Sequence, residues 1–358
     1  MGLICHGLLG TSYQSNFLIC SHEEIWVFLQ PLLLRRGYQL RPRYDPNWRP
    51  SWTRQFSLFG PATAFEDGQV LTKPCTIDAI RIKDGMKVVM KIVSTSSNEI
   101  PIIRYLNSGA LRSDPRNKTV PLLDVILFPH TDEKALIVMP MLLQFNAILF
   151  RYMNELCQSM EQFFVGLAFM HEHNIAHRDA CYRNLMMDVT HVLPHGYHFA
   201  CWDTEDGLYK RVRPLERRSV SPPDYFIIDF GLSSQFPPGV TGVKLRGLFG
   251  QDRTVPEGLT GEMYDPFKYD VYQLGNVLAR LVGMYEGLTI FKPLTDVMTH
   301  RNPEERPSAA EAHRMLVEIV ASLAPDQLDQ RIWHRRTPPD LRYRIEFCGE
   351  NPVEEYFD

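Results

Sequence analysis

No run of about 18 uninterrupted apolar residues occurs in this chain, so no bilayer-crossing helix and no membrane insertion are expected. The longest apolar region, Ala135 to Phe150, is interrupted by Pro140, Gln144 and Asn146. Basic charge is not in excess: 38 Lys and Arg against 42 Asp and Glu leave a net charge of −4, so no nucleic-acid partner is expected. The seven cysteines never form C-x-x-C, which points away from a zinc site and from a disulfide framework. A reducing, intracellular compartment, cytoplasmic or nuclear, follows as the expectation. Met1 to Gly10 lacks the basic segment of a signal peptide, and His6 stands where a myristoylation pattern beginning at Gly2 needs Ser or Thr. There is no internal repeat. What remains is a globular chain of ordinary composition, 44% apolar, whose 358 residues suit one large domain or two lobes.

The pattern along the chain divides it into a leader at 1–60, a small mostly β region at 61–139, a larger helical region at 140–324, and a tail at 325–358. In the leader, Ile25, Phe28, Leu29, Leu32 and Leu33 recur at helical spacing over Glu23 to Arg36, with Pro31 a point of breakage or kinking. The stretch from Arg41 to Trp52 is dense in proline and tryptophan and reads as irregular, pinned by its aromatics. Thr76 to Ile82 and Lys87 to Val93 alternate around Asp84-Gly85, a hairpin signal. A short helix over Asn98 to Leu106 and strands near Leu122 to Leu127 and Ala135 to Met139 follow. Met153 to His173 is a long helix with Met153, Leu156, Met160, Phe163, Phe164, Leu167 and Met170 on one face. Asp270 to Met284, Pro293 to Thr299 and Ser308 to Leu323 are helical, the last with Ser308 and Glu311 at capping-box positions. In the tail, Trp333, Tyr343 and Phe347 are available for docking.

Two motifs carry chemistry. His177-Arg178-Asp179-Ala180-Cys181-Tyr182-Arg183-Asn184 fits H-R-D-x-x-x-x-N, and Asp229-Phe230-Gly231 closes an apolar, strand-like run. Four fixed letters followed by D-F-G are far more specific than H-R-D alone. Further landmarks occur in order: Val88-Val89-Met90-Lys91, a glutamate at Glu99, Val255-Pro256-Glu257, Asp270 and Arg306.

Between Thr76 and Leu323 the chain resembles eukaryotic protein kinases, and it is similar to fungal protein-kinase-like proteins in its Arg-Pro-Arg-Tyr-Asp-Pro leader and its long insert before D-F-G. The resemblance implies an α+β, bilobal fold with a β-rich small lobe, a helical large lobe and ATP in the cleft between them. It implies ATP and Mg²⁺ as cofactors, a protein substrate, and a monomer. Lys91 would meet the α- and β-phosphates and Glu99 would pair with it, although a solvated lysine and a dipole-compensating glutamate are the bland alternatives. Val89, Met139, Met141 and Met186 would line the nucleotide; a methionine is equally what any core uses. Asp179 would orient the acceptor hydroxyl, and Asn184 and Asp229 would offer oxygens to magnesium. His177 and Phe230 would be structural. Glu257 and Arg306 would form a buried ion pair, and Asp270 would anchor the H-R-D backbone. Arg178 would pair with a phosphate on the activation segment, Thr241 being the favoured acceptor. Alternatively, Lys244, Arg246 and Asp252 order that segment unaided and Arg178 meets an acidic side chain.

The sequence also departs from that pattern. No G-x-G-x-x-G precedes Lys91, and Gly60 and Gly68 are not spaced as phosphate-cradling glycines. Cys181 stands where Ser/Thr kinases carry a lysine that reaches the γ-phosphate; Arg183 is the candidate replacement. An insert at about 188–223 carries Arg211, Arg213, Arg217 and Arg218, read as a solvated loop in preference to a docking patch. Met284 to Thr299 leaves little room for a further helix. The function expected is transfer of the ATP γ-phosphate to Ser/Thr hydroxyls of proteins. A pseudokinase serving as a binding module is the alternative, and a small-molecule kinase is disfavoured by Val255-Pro256-Glu257, Asp270 and Arg306.

Overall fold

A computed structural model describes residues 19–54, 62–247 and 250–348. Gly60 lies outside the described residues. The chain is a mixed α+β protein with antiparallel sheet and divides into two compact units: residues 1–90 with 197–211, and residues 91–196 with 212–358.

The first unit is built on its leader. Helix Glu24–Arg35 buries Trp26, Leu29 and Leu33. This corrects the expected face: Phe28 is 39% exposed and Ile25 and Leu32 are only partly covered. The bulk of Trp26 and the buried carboxylate of Glu23 just ahead of it turn the helix. Pro31 does not end it, because it lies on the exposed side, where water can take the carbonyl its ring leaves unpaired. Glu23 is fully buried and accepts from Arg43 Nη2 at 2.8 Å, the Tyr44 hydroxyl at 2.8 Å and the Leu71 amide at 3.2 Å. The Arg-Pro-Arg-Tyr stretch is therefore pinned by charge as well as by rings. Its tryptophans do stack, Trp48 edge-on to Trp52 at 5.9 Å. Strand Thr76–Arg81 pairs with Tyr38–Gln39, and it forms the expected hairpin with strand Met86–Ser94, which continues into the second unit.

Gly68 proves to be a packing glycine: a Cβ there would lie 1.8 Å from the Ala62 carbonyl oxygen. The middle of the insert belongs to this unit. Lys87 Nζ donates to the Tyr197 carbonyl at 2.9 Å, and His198 meets Glu66 at 3.2 Å.

In the second unit, helix Glu99–Leu106 and the antiparallel pair Asp124–Leu127 and Lys134–Pro140 appear where expected, in register Asp124↔Val138. Short strands Leu143–Gln144, Leu185–Met187 and Tyr225–Ile227 form a second small sheet. Helix Met153–Glu172 buries every one of its seven expected apolar residues and packs on helix Ala309–Ala321. Each such side chain contributes about 1.5–3 kcal/mol of burial. The capping box at Ser308 and Glu311 is formed.

Two expectations fail. Tyr343 and Phe347 are 60% and 71% exposed, so of the three aromatics only Trp333 is buried, with Arg331 4.2 Å and Arg342 5.4 Å from its ring; Ile332 and Leu341 of the tail are buried as well. Arg217 is not a solvated insert residue. It is buried over the Phe150 ring at 4.3 Å and donates to the carbonyls of Phe145 and Ile148, because those carbonyls sit in an aromatic core that needs a donor. Arg211 pairs with Asp203 and Arg218 with Glu216 at the surface.

Candidate active site

Lys91, Glu99, Asp179, Asn184 and Asp229 all lie within the second unit. The loop 177–184 is suspended from helix Pro266–Met284. Asp270, fully buried, accepts from the amides of His177 at 2.7 Å and Arg178 at 2.5 Å, and meets His171 Nε2 at 2.9 Å. One turn on, Gln273 Oε1 accepts from the Ala180 amide at 2.9 Å. The i,i+3 spacing of Asp270 and Gln273 on a helix was the signal that could have found Gln273. His177 accepts from the Asp179 amide through Nδ1, which leaves Nε2 to donate to the Ile228 carbonyl at 2.9 Å; its ring stands edge-on to Phe230 at 5.6 Å. His177 and Phe230 thus tie the loop to the segment carrying Asp229.

Lys91 Nζ bridges two carboxylates, Glu99 Oε1 at 2.6 Å and Asp229 Oδ1 at 2.8 Å. Burial would lower the Lys91 pKa, but the charges of Asp229 and Glu99 hold it above its ordinary value. Asp229 is held below the usual aspartate value, since Lys91 and the Gly231 amide outweigh its burial. Burial wins at Glu99, whose pKa is raised despite Lys91. Asp229 and Arg178 both adopt left-handed backbone, at φ 67°, a costly conformation that gathers where side chains must be aimed.

Asp179 is buried and heavily bonded. Asn184 Nδ2 reaches its Oδ2 at 2.9 Å and its carbonyl at 2.9 Å. Gln251 donates its amide to Oδ1 at 2.7 Å and its side-chain Nε2 to Oδ2 at 2.9 Å. The Cys181 thiol also bonds the carboxylate, and burial beside Asp179 pushes that thiol up to about 12. At Gly250 a Cβ would lie 2.5 Å from Asp179 Oδ1, so only glycine lets Gln251 approach. Gln251 was missed from sequence because it lies in a stretch with no motif, 72 residues from Asp179.

Asn184 Oδ1 and Asp229 Oδ2 receive no hydrogen bond among the described residues. Two such oxygens beside a cation-bridged carboxylate fit a hard divalent ion such as magnesium. Another grouping, Cys20, His22 and Glu23, lies in the first unit, but Glu23 is already filled by Arg43, Tyr44 and Leu71.

Val89 belongs to the first unit, half-buried on strand Met86–Ser94. Met139 and Met141 flank Pro140 at a strand end, and Met186 pairs with Gln144 just beyond them. Arg183 is exposed. Arg178 is buried and donates to the Tyr264 hydroxyl at 2.7 and 3.0 Å and to the carbonyls of Leu232 and Gly247. Thr241 is exposed and makes no side-chain hydrogen bond among the described residues; Lys244 meets Glu304 at 3.7 Å and Arg246 the Gly261 carbonyl at 3.3 Å. Glu257 and Arg306 form a two-pronged ion pair at 2.7 and 2.8 Å.

A comparison with protein-family models found no match, and a comparison with curated proteins found none either.

Proposed function

We propose that this chain is a protein kinase: it binds Mg-ATP and transfers the γ-phosphoryl group to a Ser or Thr hydroxyl of a protein substrate. The fold would then be that of a bilobal kinase. The observation that carries this reading is the bridging of Glu99 and Asp229 by Lys91, in the same unit as the Asp179–Asn184 hydrogen bond and the Asp270-tethered loop. A half-buried lysine held between two carboxylates, one of them on left-handed backbone, is an arrangement suited to phosphate chemistry.

In the proposed reaction the bond from the γ-phosphorus to the bridging oxygen breaks and leaves ADP, while a bond from the acceptor oxygen to phosphorus forms. The acceptor proton leaves toward Asp179. Lys91 would hold the α- and β-phosphates, and Asn184 and Asp229 would hold Mg²⁺, which supplies charge neutralisation on the phosphates when bound.

The test is purified full-length chain with magnesium, γ-labelled ATP and a Ser/Thr peptide library, with Asp179→Asn as the control. Label transfer that the control loses by about 100-fold or more supports the reading. Equal incorporation in both proteins, or none in either, ends it. The second reading, a kinase-like module that binds without transferring, is favoured by Gln251 covering both oxygens of Asp179 and by Cys181 in place of a lysine. ATP binding without turnover would select it.

A further inference from the structure

One feature left unexplained is a cavity of about 440 Å³ in the second unit, lined by Cys181, Arg183, Gln251, Arg253, Asn276 and Arg280 among others. Its position is fixed by two of those residues. Gln251 and Cys181 each hydrogen-bond Asp179, so the cavity opens beside the carboxylate that would receive the acceptor hydroxyl. Its charge is lopsided. Arg183, Arg253 and Arg280 make no ion pair or side-chain hydrogen bond among the described residues. The lone acid of the lining, Asp252, is buried and already committed to the Thr254 amide and hydroxyl and, at 2.6 Å, to Asn276 Nδ2. Three exposed guanidinium groups around one concavity give it a positive field suited to an anion.

We propose that this cavity seats an anionic side chain flanking the acceptor residue, so that the protein selects substrates carrying an aspartate, glutamate or phosphorylated residue next to the Ser or Thr. The proposal rests on the kinase reading above. A planar guanidinium matches carboxylate and phosphate oxygens, and charge-assisted bonds of this kind are the strong ones. The cavity's size accommodates either group.

Binding is measured without nucleotide, so that it does not depend on turnover. Three fluorescein-labelled peptides, identical except for phosphoserine, glutamate or glutamine beside the acceptor serine, are titrated with the full-length protein by anisotropy. The phosphoserine and glutamate peptides are expected to bind about tenfold or more tightly than the glutamine peptide. A phosphoserine peptide ahead of the glutamate one by a further factor of about ten assigns a phosphorylated occupant; equal binding of the two assigns a carboxylate. The Arg253→Ala/Arg280→Ala double variant, both positions being exposed, is expected to lose the preference at an unchanged Tm. Arg253→Glu, a second variant, leaves the lining without net positive charge and is expected to weaken the preference severalfold. Equal affinity for all three peptides, or a preference retained in both variants, overturns the proposal. A preference shown by the wild type and lost in the double variant, with no phosphate transfer, supports the anion seat and counts against the kinase reading alone.

Discussion

Lys91 illustrates what a single residue does here. Its ammonium group lies between Glu99 and Asp229, so removing it both deletes the proposed phosphate contact and leaves two carboxylates facing each other. Lys91→Met is therefore expected to lower phosphate transfer by about 100-fold or more, read as kcat/KM with a saturating peptide, and to lower Tm as well. A loss of transfer at unchanged Tm would mean that the carboxylates find other partners. Cysteine chemistry offers a second check. Burial holds the thiols of Cys157 and Cys181 up to about 12, whereas Cys75 and Cys348 are exposed. At pH 8 iodoacetamide is expected to modify Cys75 and Cys348 and to spare Cys157 and Cys181, as peptide mass spectrometry will show. That Lys91 pairs with Glu99, and that Asp179 and Asn184 share a loop, was legible as a spaced set of motifs. The wider bonding of Asp179 and Arg178 was not, because Gln251 and Tyr264 reach them from 72 and 86 residues away, with no periodicity to announce them.

At the scale of elements, local rules were reliable wherever the signal was local. The Asp84-Gly85 hairpin and the capping box at Ser308 form as expected, since each is decided within a few residues. The leader helix shows where such rules stop: its apolar stripe was wide enough to allow two faces, and the buried Glu23 cluster chose the one through Trp26. The segment Gly250 to Thr254 is the element with the most direct bearing on the proposed activity. Gln251 Nε2 donates to Asp179 Oδ2, an oxygen that under the kinase proposal would receive the acceptor hydroxyl. Gln251→Ala leaves the backbone bond to Oδ1 and the Asn184 bond to Oδ2 in place and removes one of the two donors on Oδ2. Worth about 1 kcal/mol, that release is expected to raise kcat/KM for a peptide by about fivefold. A fall would instead make Gln251 a support for Asp179.

At the scale of the whole molecule, the response to acid is set by carboxyls on partners. Five in the first unit are held below their ordinary values; Asp84 and Asp206 are exposed, and Glu23, Glu66 and Asp67 are at least partly covered. Burial would raise Glu23, but the Tyr44 hydroxyl, the Arg43 charge and the amides of Leu71 and Cys20 overcome it. The His198 hydrogen bond leads at Glu66, and bonds from Ser51 and Trp48 overcome burial at Asp67. A carboxyl with a depressed folded value binds fewer protons folded than unfolded. Its stabilisation is present above the ordinary value of about 4.5 and is lost as pH falls through the depressed one. Asp78 opposes this, its burial holding it above the ordinary value, so its contribution moves the other way. Four of the five tryptophans, Trp26, Trp48, Trp52 and Trp202, belong to this unit, so tryptophan fluorescence reports chiefly on it. Glu23 is fully covered and its partner Arg43 is 1% exposed, so Glu23→Gln breaks a buried pair and is expected to cost about 3 kcal/mol at pH 7. The same variant no longer has that carboxyl to protonate. Between pH 5 and pH 3, then, the fluorescence-detected Tm of the wild type is expected to fall more steeply than that of Glu23→Gln, and the two curves to converge at the acid end. Parallel curves would show that Glu23 is not held below its ordinary value, and that the acid sensitivity of this unit resides with its other carboxyls.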